Sequence, residues 1–419
     1  MTTASSAPSG SVAPMTMTPD GVWADVVGQP EAVAVLGAAA RAAHDLVAGR
    51  AVAPGAMTHA WLFTGPPGSG RSVAARAFAA ALQCTRPDER GPGCGECAAC
   101  HTAMAGTHAD VRVVVPDGLS ISVSEMRSLV QLAARRPTTG RWQVVLVEDA
   151  DRLTEGAANA LLKAVEEPPA RTVFLLCAPS DHPEDVSVTI RSRCRVVALR
   201  TPSADAIADV LHRRDRLDED TARWAASVCG GHVGRARRLA TDPEARARRD
   251  AVLAAPLGLR RLADVFARAD DLVRAAESEA AAVSGALDEA ERQALETALG
   301  AGGTGKGTAS ATRGAKGAIK DLEKRQKSRA TRTQRDALDR ALVDLAGFYR
   351  DVLVTATGAR AALTHPDHAD DVATAARRWR PETVLRRLEA VLACREALER
   401  NVKPRIAIEA LLTALHTGD

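Results

Sequence analysis

Aromatic residues are scarce: five Phe, five Trp and one Tyr make up 3% of 419 residues. That scarcity disfavours a sheet-dominated core built on aromatic packing and leaves an interior of Ala, Leu and Val, which favours helices. An excess of either charge is missing too. Against 52 Asp and Glu stand 55 Lys and Arg, a formal +3, which excludes a chain coated overall in nucleic acid and confines any basic surface to local patches. No stretch approaches the roughly 18 uninterrupted apolar residues of a membrane span. Residues 1–20, MTTASSAPSGSVAPMTMTPD, carry neither the basic start nor the apolar run of a signal peptide and read as a disordered tail. The expectation is a soluble cytoplasmic chain, in which clustered cysteines hold metal more often than they form disulfides.

The length exceeds one ordinary core and predicts two or three domains. From about residue 21 to 200, short apolar runs alternate with helical patterns: HAWLFTG (59–65), DVRVVVP (110–116), WQVVLVED (142–149), TVFLLCA (172–178) and CRVVALR (194–200). This is the form of an α/β domain, a parallel sheet with flanking helices. Residues 201–245 read as small helices broken by Gly230, Gly231 and Gly234, and 246–419 as longer Ala/Leu/Arg helices. Within the latter, 300–317 has the glycine and threonine content of a flexible insertion. The stretch 306–335 holds ten Lys or Arg against two acids; it reads either as a DNA-contacting patch or as a solvated tether entering a charged helix, and it lacks aromatics to stack on bases.

Four features carry chemistry. The segment TGPPGSGRS (64–72) has the frame of a phosphate-binding loop: Gly65, Gly68 and Gly70 permit a tight anion cradle ahead of a helix, and Ser72 stands at the metal-binding hydroxyl position. Arg71 replaces the lysine the frame calls for, and a forked guanidinium does not substitute for a compact ammonium in a tight loop. The segment VLVEDADRL (145–153) ends an apolar strand in Glu148 and Asp149. Acids at that point orient magnesium and water in ATPases, but this order is inverted and each side chain is wrong in length by one methylene. Solvated acids at a strand end remain the alternative. Cys84, Cys94, Cys97 and Cys100 have the spacing of a closed four-sulfur structural zinc site on a glycine-rich surface knuckle, with unpaired core thiols the alternative. The other cysteines, Cys177, Cys194, Cys229 and Cys394, lie on apolar segments and read as buried thiols. In TIRSRCRVV (189–197), Arg191, Arg193 and Arg195 read on spacing alone as surface charges, with a guanidinium reaching a neighbouring molecule as the alternative.

Together with VGQ (27–29), ANALLKAVEEPP (158–169) and GGHVGRARRLA (230–240), these motifs resemble the clamp-loader family of AAA+ proteins over roughly residues 22–245. The resemblance implies an AAA+ module, a helical lid over 201–245 and an all-α collar over 246–419. It implies a non-motor subunit of the DNA polymerase III loader, set in a pentameric ring with gamma/tau and delta subunits, that helps load the sliding clamp onto primed DNA during replication. By the same resemblance Arg193 is an arginine finger acting in trans on the neighbour's ATP. Ser180 falls near the sensor-1 position, Arg235 is the sensor-2 arginine of the lid, and the loop is a degenerate site that binds ATP or ADP without turnover. The competing readings are an active ATPase motor of the gamma/tau type, against which Arg71 and the Glu148-Asp149 order count, and a pure interaction scaffold.

Overall fold

The computed structural model describes residues 20–89, 91–116, 118–298 and 308–418, excepting the side chains of 286, 296, 298 and 308–316; the N-terminal tail expected at 1–20 lies outside them except for Asp20. Helix α1 (Pro30–Val47) leads into strand β1 (Ala60–Thr64), α2 (Arg71–Gln83), α3 (Ala98–Met104), β2 (Val111–Val114), α4 (Val123–Ala133), β3 (Gln143–Val147), α5 (Glu155–Glu166), β4 (Thr172–Ala178), α6 (Val188–Arg191) and β5 (Arg195–Ala198). All five expected strands form, in one parallel sheet of order β2-β3-β4-β1-β5. Every residue of β1, β3 and β4 is buried, because helices cover both faces. Strand alternation divides the core: Trp61, Phe63, Val144, Leu146 and Leu175 pack towards α1, α2 and α3, whereas Leu62, Val145, Val147, Phe174 and Leu176 pack towards α4, α5 and α6. The few aromatics sit where the most area is removed from water. Trp61 and Phe78 meet edge-to-face at 5.0 Å, a geometry the ring quadrupoles favour.

Helix α5 begins where Thr154 accepts a hydrogen bond from the Ala157 N–H at 3.3 Å and stops two residues short of Pro168-Pro169, which cannot continue it. Its buried face is Ala157, Leu161, Ala164 and Val165. Leu153 precedes the helix and packs against the same core.

Three short helices follow, α7 (Ala204–Arg213), α8 (Glu219–Val228) and α9 (Val233–Thr241), around a small core of Ile207, Leu211, Ala225 and Ala236. Gly230 and Gly231 break the chain between α8 and α9 with φ of 64° and 84°. Gly234 does not break it; it lies in the first turn of α9. Helices α10 (Pro243–Gly258), α11 (Leu262–Ala298), α12 (Thr308–Thr357), α13 (Ala369–Arg378), α14 (Pro381–Glu399) and α15 (Pro404–Thr417) enclose a separate core around Leu338, Leu345, Phe348 and Tyr349. Among the described residues no helix is long and apolar enough to cross a membrane.

One expectation fails here. Residues 308–317, taken with 300–317 as a flexible insertion, are the first turns of the 50-residue α12; 299–307 lie outside the described residues. The local composition reads as a loop, but helical stability in proteins comes mainly from tertiary packing, and α12 is held along α11. Leu322 is buried, and Arg329 donates to Asp288 and Glu291 of α11, each at 2.5 Å.

Asp110, buried before β2, fixes the turn ahead of β3. It accepts from the backbone N–H groups of Thr138 (2.7 Å), Thr139 (2.8 Å) and Gly140 (2.5 Å). Burial pushes its carboxyl up, but these donors outweigh burial and hold it at about 2, below the ordinary 3.8. A carboxyl depressed on folding contributes stability that is complete above its unfolded value and is lost as pH falls through the folded one. We expect about 2 kcal/mol from this group, lost between about pH 4 and pH 2 and missing from Asp110→Asn. Urea denaturation of the two proteins across that range checks it, and parallel pH profiles would contradict it.

Candidate functional site

The phosphate-loop frame lies between β1 and α2, as the sequence predicts. The Gly65 N–H donates to Pro179 O (3.1 Å) at the end of β4. Gly68 and Gly70 both have φ near 88°, in the left-handed region open to glycine. A Cβ on Gly68 would stand 2.9 Å from the His232 Cα, so the loop is pressed against the start of α9 and glycine is required by close approach as well. Gln29 explains the VGQ motif. Its amide donates to Ser69 O (3.3 Å) and Arg200 O (2.5 Å) and accepts from Arg200 N (3.1 Å), tying α1 to the loop and to the end of β5.

The charged groups expected to serve a nucleotide are each bonded within the chain. Arg71 Nη1 folds back onto Gly65 O at 2.6 Å, so the guanidinium closes its own loop. Glu148, at the tip of β3, accepts from Arg76 Nε and Nη2 at 2.8 and 2.6 Å. Asp149 accepts from Arg332 Nη2 of α12 at 2.5 Å, and the same guanidinium donates to Pro116 O at 2.5 Å. Ser180 Oγ donates to Asp185 Oδ2 at 2.6 Å, turned into its own loop. Arg235, on α9, is paired with Asp344 of α12. Thus the loop of Gly65, Gly68, Gly70, Arg71 and Ser72 and the acids Glu148 and Asp149 stand at the C-terminal ends of β1 and β3 in one sheet, joined by the Arg76–Glu148 pair, while Arg235 is drawn to α12. Ser69 Oγ is buried and has no hydrogen-bond partner among the described residues.

Sequence reasoning missed Arg76, Arg332, His232 and Asp344. Arg76 was legible in principle, one turn into the helix after the loop. Arg332 was not, because nothing local to 306–335 says that its second-last basic residue meets a strand tip 183 residues away. The basic stretch is in part an internal fastener: Arg335 donates to Leu398 O (3.1 Å) and Asn401 Oδ1 (2.7 Å), beside the bonds of Arg329 and Arg332. The Arg332–Asp149 pair is about four-fifths removed from solvent on both sides. We expect a coupling of about 1 kcal/mol in a double-mutant cycle of Arg332→Ala with Asp149→Ala, read by chemical denaturation; additive single losses would contradict it.

Arg193 sits just before the edge strand β5 with a partly exposed side chain. Its guanidinium is paired with Glu166 at 2.7 Å and donates to Thr189 O at 3.0 Å. Arg191 is held by Asp181 at 2.7 Å, and Arg195 lies over the Trp61 ring at 5.1 Å. Of the three arginines, Arg193 rests on an acid from the EEPP end of α5.

Cys84, Cys94, Cys97 and Cys100 converge: their sulfurs all lie within 4.8 Å of one another. A tetrahedral zinc with Zn–S near 2.3 Å places sulfurs about 3.8 Å apart, and Cys84 and Cys94 Sγ are 3.8 Å apart. The Cys97 N–H points at Cys94 Sγ and the Cys100 N–H at Cys97 Sγ, each at 3.4 Å, donors suited to thiolates. Hydrogen bonding with Cys100, opposed by burial, holds the Cys84 thiol down at about 4, while the same contact pushes Cys100 up. The residues fit a metal ion. The expectation of a surface knuckle needs correction: Cys84, Cys97 and Cys100 are fully buried in the sheet-side core and only Cys94 is partly exposed. The glycines serve close packing instead, since a Cβ on Gly93 would meet Val22 at 2.8 Å and Trp23 at 3.0 Å. Of the remaining thiols, Cys177, Cys229 and Cys394 are buried as expected, and Cys194 is only half-buried.

Two family models match the chain. "DNA polymerase III, delta subunit" matches residues 44–203, and "DNA polymerase III, delta subunit, C terminal" matches residues 333–417. The DNA polymerase III subunit delta' of Pseudomonas aeruginosa is 42% identical over 157 residues, 37% of this chain and 47% of that protein. Its counterpart of the same name in Escherichia coli is 34% identical over 183 residues, 43% of this chain and 54% of that protein. The DNA polymerase III subunit gamma/tau of Mycobacterium tuberculosis is 37% identical over 172 residues, 41% of this chain and 27% of that protein. The matches span about half the length of the delta' relatives.

Proposed function

We propose that this chain, which matches DNA polymerase III delta-subunit models over residues 44–203 and 333–417, is the non-motor, delta-prime-type subunit of a clamp loader acting in DNA replication. In this reading it takes a place in a ring with gamma/tau and delta subunits and helps load the sliding clamp onto primed DNA. The observation that carries the non-motor half is the internal neutralisation of the loop and strand tip. Arg71 on Gly65 O, Glu148 on Arg76 and Asp149 on Arg332 engage each charged group of the cradle and of the acidic strand tip within the chain, in competition with magnesium or a terminal phosphate. The glycine loop still offers backbone N–H groups to an anion, so ADP or ATP binding without turnover belongs to the proposal.

In the same reading Arg193 supplies an arginine finger to the ATP of the adjacent motor subunit. What supports it is position and cost. The guanidinium stands at the domain surface, and leaving a partly exposed ion pair with Glu166 costs at most about 1 kcal/mol. A guanidinium fork suits the charge that develops on a transferring phosphoryl group. Glu166 then acts as a rest position. The four cysteines would hold a structural zinc, whose role is to cross-link the end of α2 to α3; four sulfur ligands leave no open position for catalysis.

The isolated chain is expected to show no magnesium-dependent ATP hydrolysis, and Arg71→Lys is not expected to restore it, because Glu148 and Asp149 stay engaged by Arg76 and Arg332. Turnover by the purified chain, or by Arg71→Lys alone, would favour the gamma/tau motor reading. Co-purification with motor and delta subunits on size exclusion tests the partners directly.

A further inference from the structure

A cavity of about 580 Å³ lies where α9, α10, α11 and α12 meet. It reaches the phosphate loop only at Pro67, and none of Gly65, Gly70, Arg71, Ser72, Glu148 and Asp149 lines it, so it is a separate site. Its walls are largely apolar, with Leu239, Val252, Leu272, Ala276 and Leu338 among them. Seven arginines also line it, against four acids. Three of those arginines, Arg238, Arg248 and Arg340, converge on one buried carboxylate, Glu279, and draw its pKa below the ordinary range against the opposing effect of burial. Arg235, Arg249 and Arg395 are matched by Asp344, Asp367 and Asp339. Arg268 is the exception: it lines the cavity and has no hydrogen bond or ion pair among the described residues.

A concave, largely apolar hollow, here half open to solvent, with a few convergent polar groups is the usual form of a small-molecule site. An arginine left without a partner at its wall, in a field already short of acid, calls for an anion, and a guanidinium fork matches phosphate oxygens. Arg268 and Glu279 are eleven residues apart on α11, about 16 Å of helix rise, so the hollow runs from the unpaired arginine to the shared-carboxylate cluster with apolar wall between. That length and volume suit a nucleotide-sized molecule rather than a lone ion.

We propose that this cavity binds an organic phosphate of nucleotide size, with its phosphate on Arg268 and its uncharged body against the Leu272, Ala276 and Leu338 wall. The site is independent of the phosphate loop and of the functional reading above. Binding there joins lid and collar helices through one ligand, and contact with Pro67 sets its occupant beside the loop.

AMP, adenosine and inorganic phosphate, each titrated calorimetrically into the full chain, test this. AMP is expected to bind at least tenfold more tightly than either fragment, because only AMP uses both the arginine and the apolar wall. Arg268→Glu and the milder Arg268→Gln break no existing ion pair, so both should fold with an unchanged melting temperature. Each is expected to weaken AMP roughly tenfold or more. Ser72→Asp, which places a carboxylate in the loop cradle at a helix N-terminus that tolerates it, is expected to leave AMP binding within about twofold. Only that pattern supports the site. Absence of saturable AMP binding, binding that survives both Arg268 variants, or binding lost in Ser72→Asp would each overturn it.

Discussion

Arg193→Ala is expected to lower ATP turnover at the motor site facing this chain by on the order of a thousandfold, the lower end of what an arginine finger contributes, while leaving subunit assembly intact. The geometry makes the variant clean. Among the described residues Arg193 bonds to Glu166, Thr189 and Ser192, all on the surface of its own domain, so its loss leaves no buried charge behind. The measurement is single-site turnover in the reconstituted loader, with Arg191→Ala as control. Arg191 has the same charge two residues away but is held by Asp181, and its removal is expected to change turnover less than about threefold. Glu166→Ala separates a resting partner from a required one. If Glu166 only parks the guanidinium, the variant keeps turnover or raises it slightly, because an exposed ion pair is worth at most about 1 kcal/mol. Unchanged turnover in Arg193→Ala would falsify the finger and favour a purely scaffolding subunit.

The second large effect concerns the cysteines. Protein purified without chelator is expected to carry one zinc per chain by elemental analysis, and Cys97→Ala to lose it together with stability on the order of 5 kcal/mol. That corresponds to a melting temperature lower by roughly 10–20 °C. The reason is burial. Cys84, Cys97 and Cys100 are packed among α2, α3 and the N-terminal segment around Val22 and Trp23, so removing one ligand leaves the other sulfurs clustered in a low-dielectric core with nothing to neutralise them as thiolates. Cys394→Ala serves as control, a buried thiol outside the cluster that donates to Ala407 O at 3.5 Å, and should cost about 1 kcal/mol. Metal-free protein with an unchanged melting temperature would show instead that the cluster is a packed group of protonated thiols.

The two variants probe different levels. Arg193 is a surface group, proposed to act only in a neighbour, so its loss is expected to leave the isolated chain stable. Cys97 is a core group whose loss is felt by the chain alone, whatever ring it joins. A loader carrying Cys97→Ala should therefore fail by falling short of assembly, and one carrying Arg193→Ala by assembling and turning over slowly.

Sequence alone determined what depends on short spacings. The five strands were legible because a parallel sheet covered on both faces needs continuous apolar runs of strand length, and TVFLLCA admits little else. The phosphate-loop frame was legible because glycines at 65, 68 and 70 are a backbone requirement, met by φ near 88° at Gly68 and Gly70 and by the close approach of His232. The cysteine cluster followed from Cys-x-x-Cys steps, which helix and turn geometry bring together locally. What the sequence could not carry were contacts between residues far apart in it. Residues 308–317 looked like a loop and are the first turns of α12, a helix fastened to α11 further along by Arg329. The knuckle looked superficial and is core, since only the fold brings Val22 and Trp23 onto Gly93. Above all, Arg71 and the inverted acids suggested a weakened nucleotide site. The tertiary structure decided how it is neutralised, by setting Arg332 of a distant helix on Asp149 and Arg76 on Glu148, because charge pairing across 183 and 72 residues depends on where the helices dock.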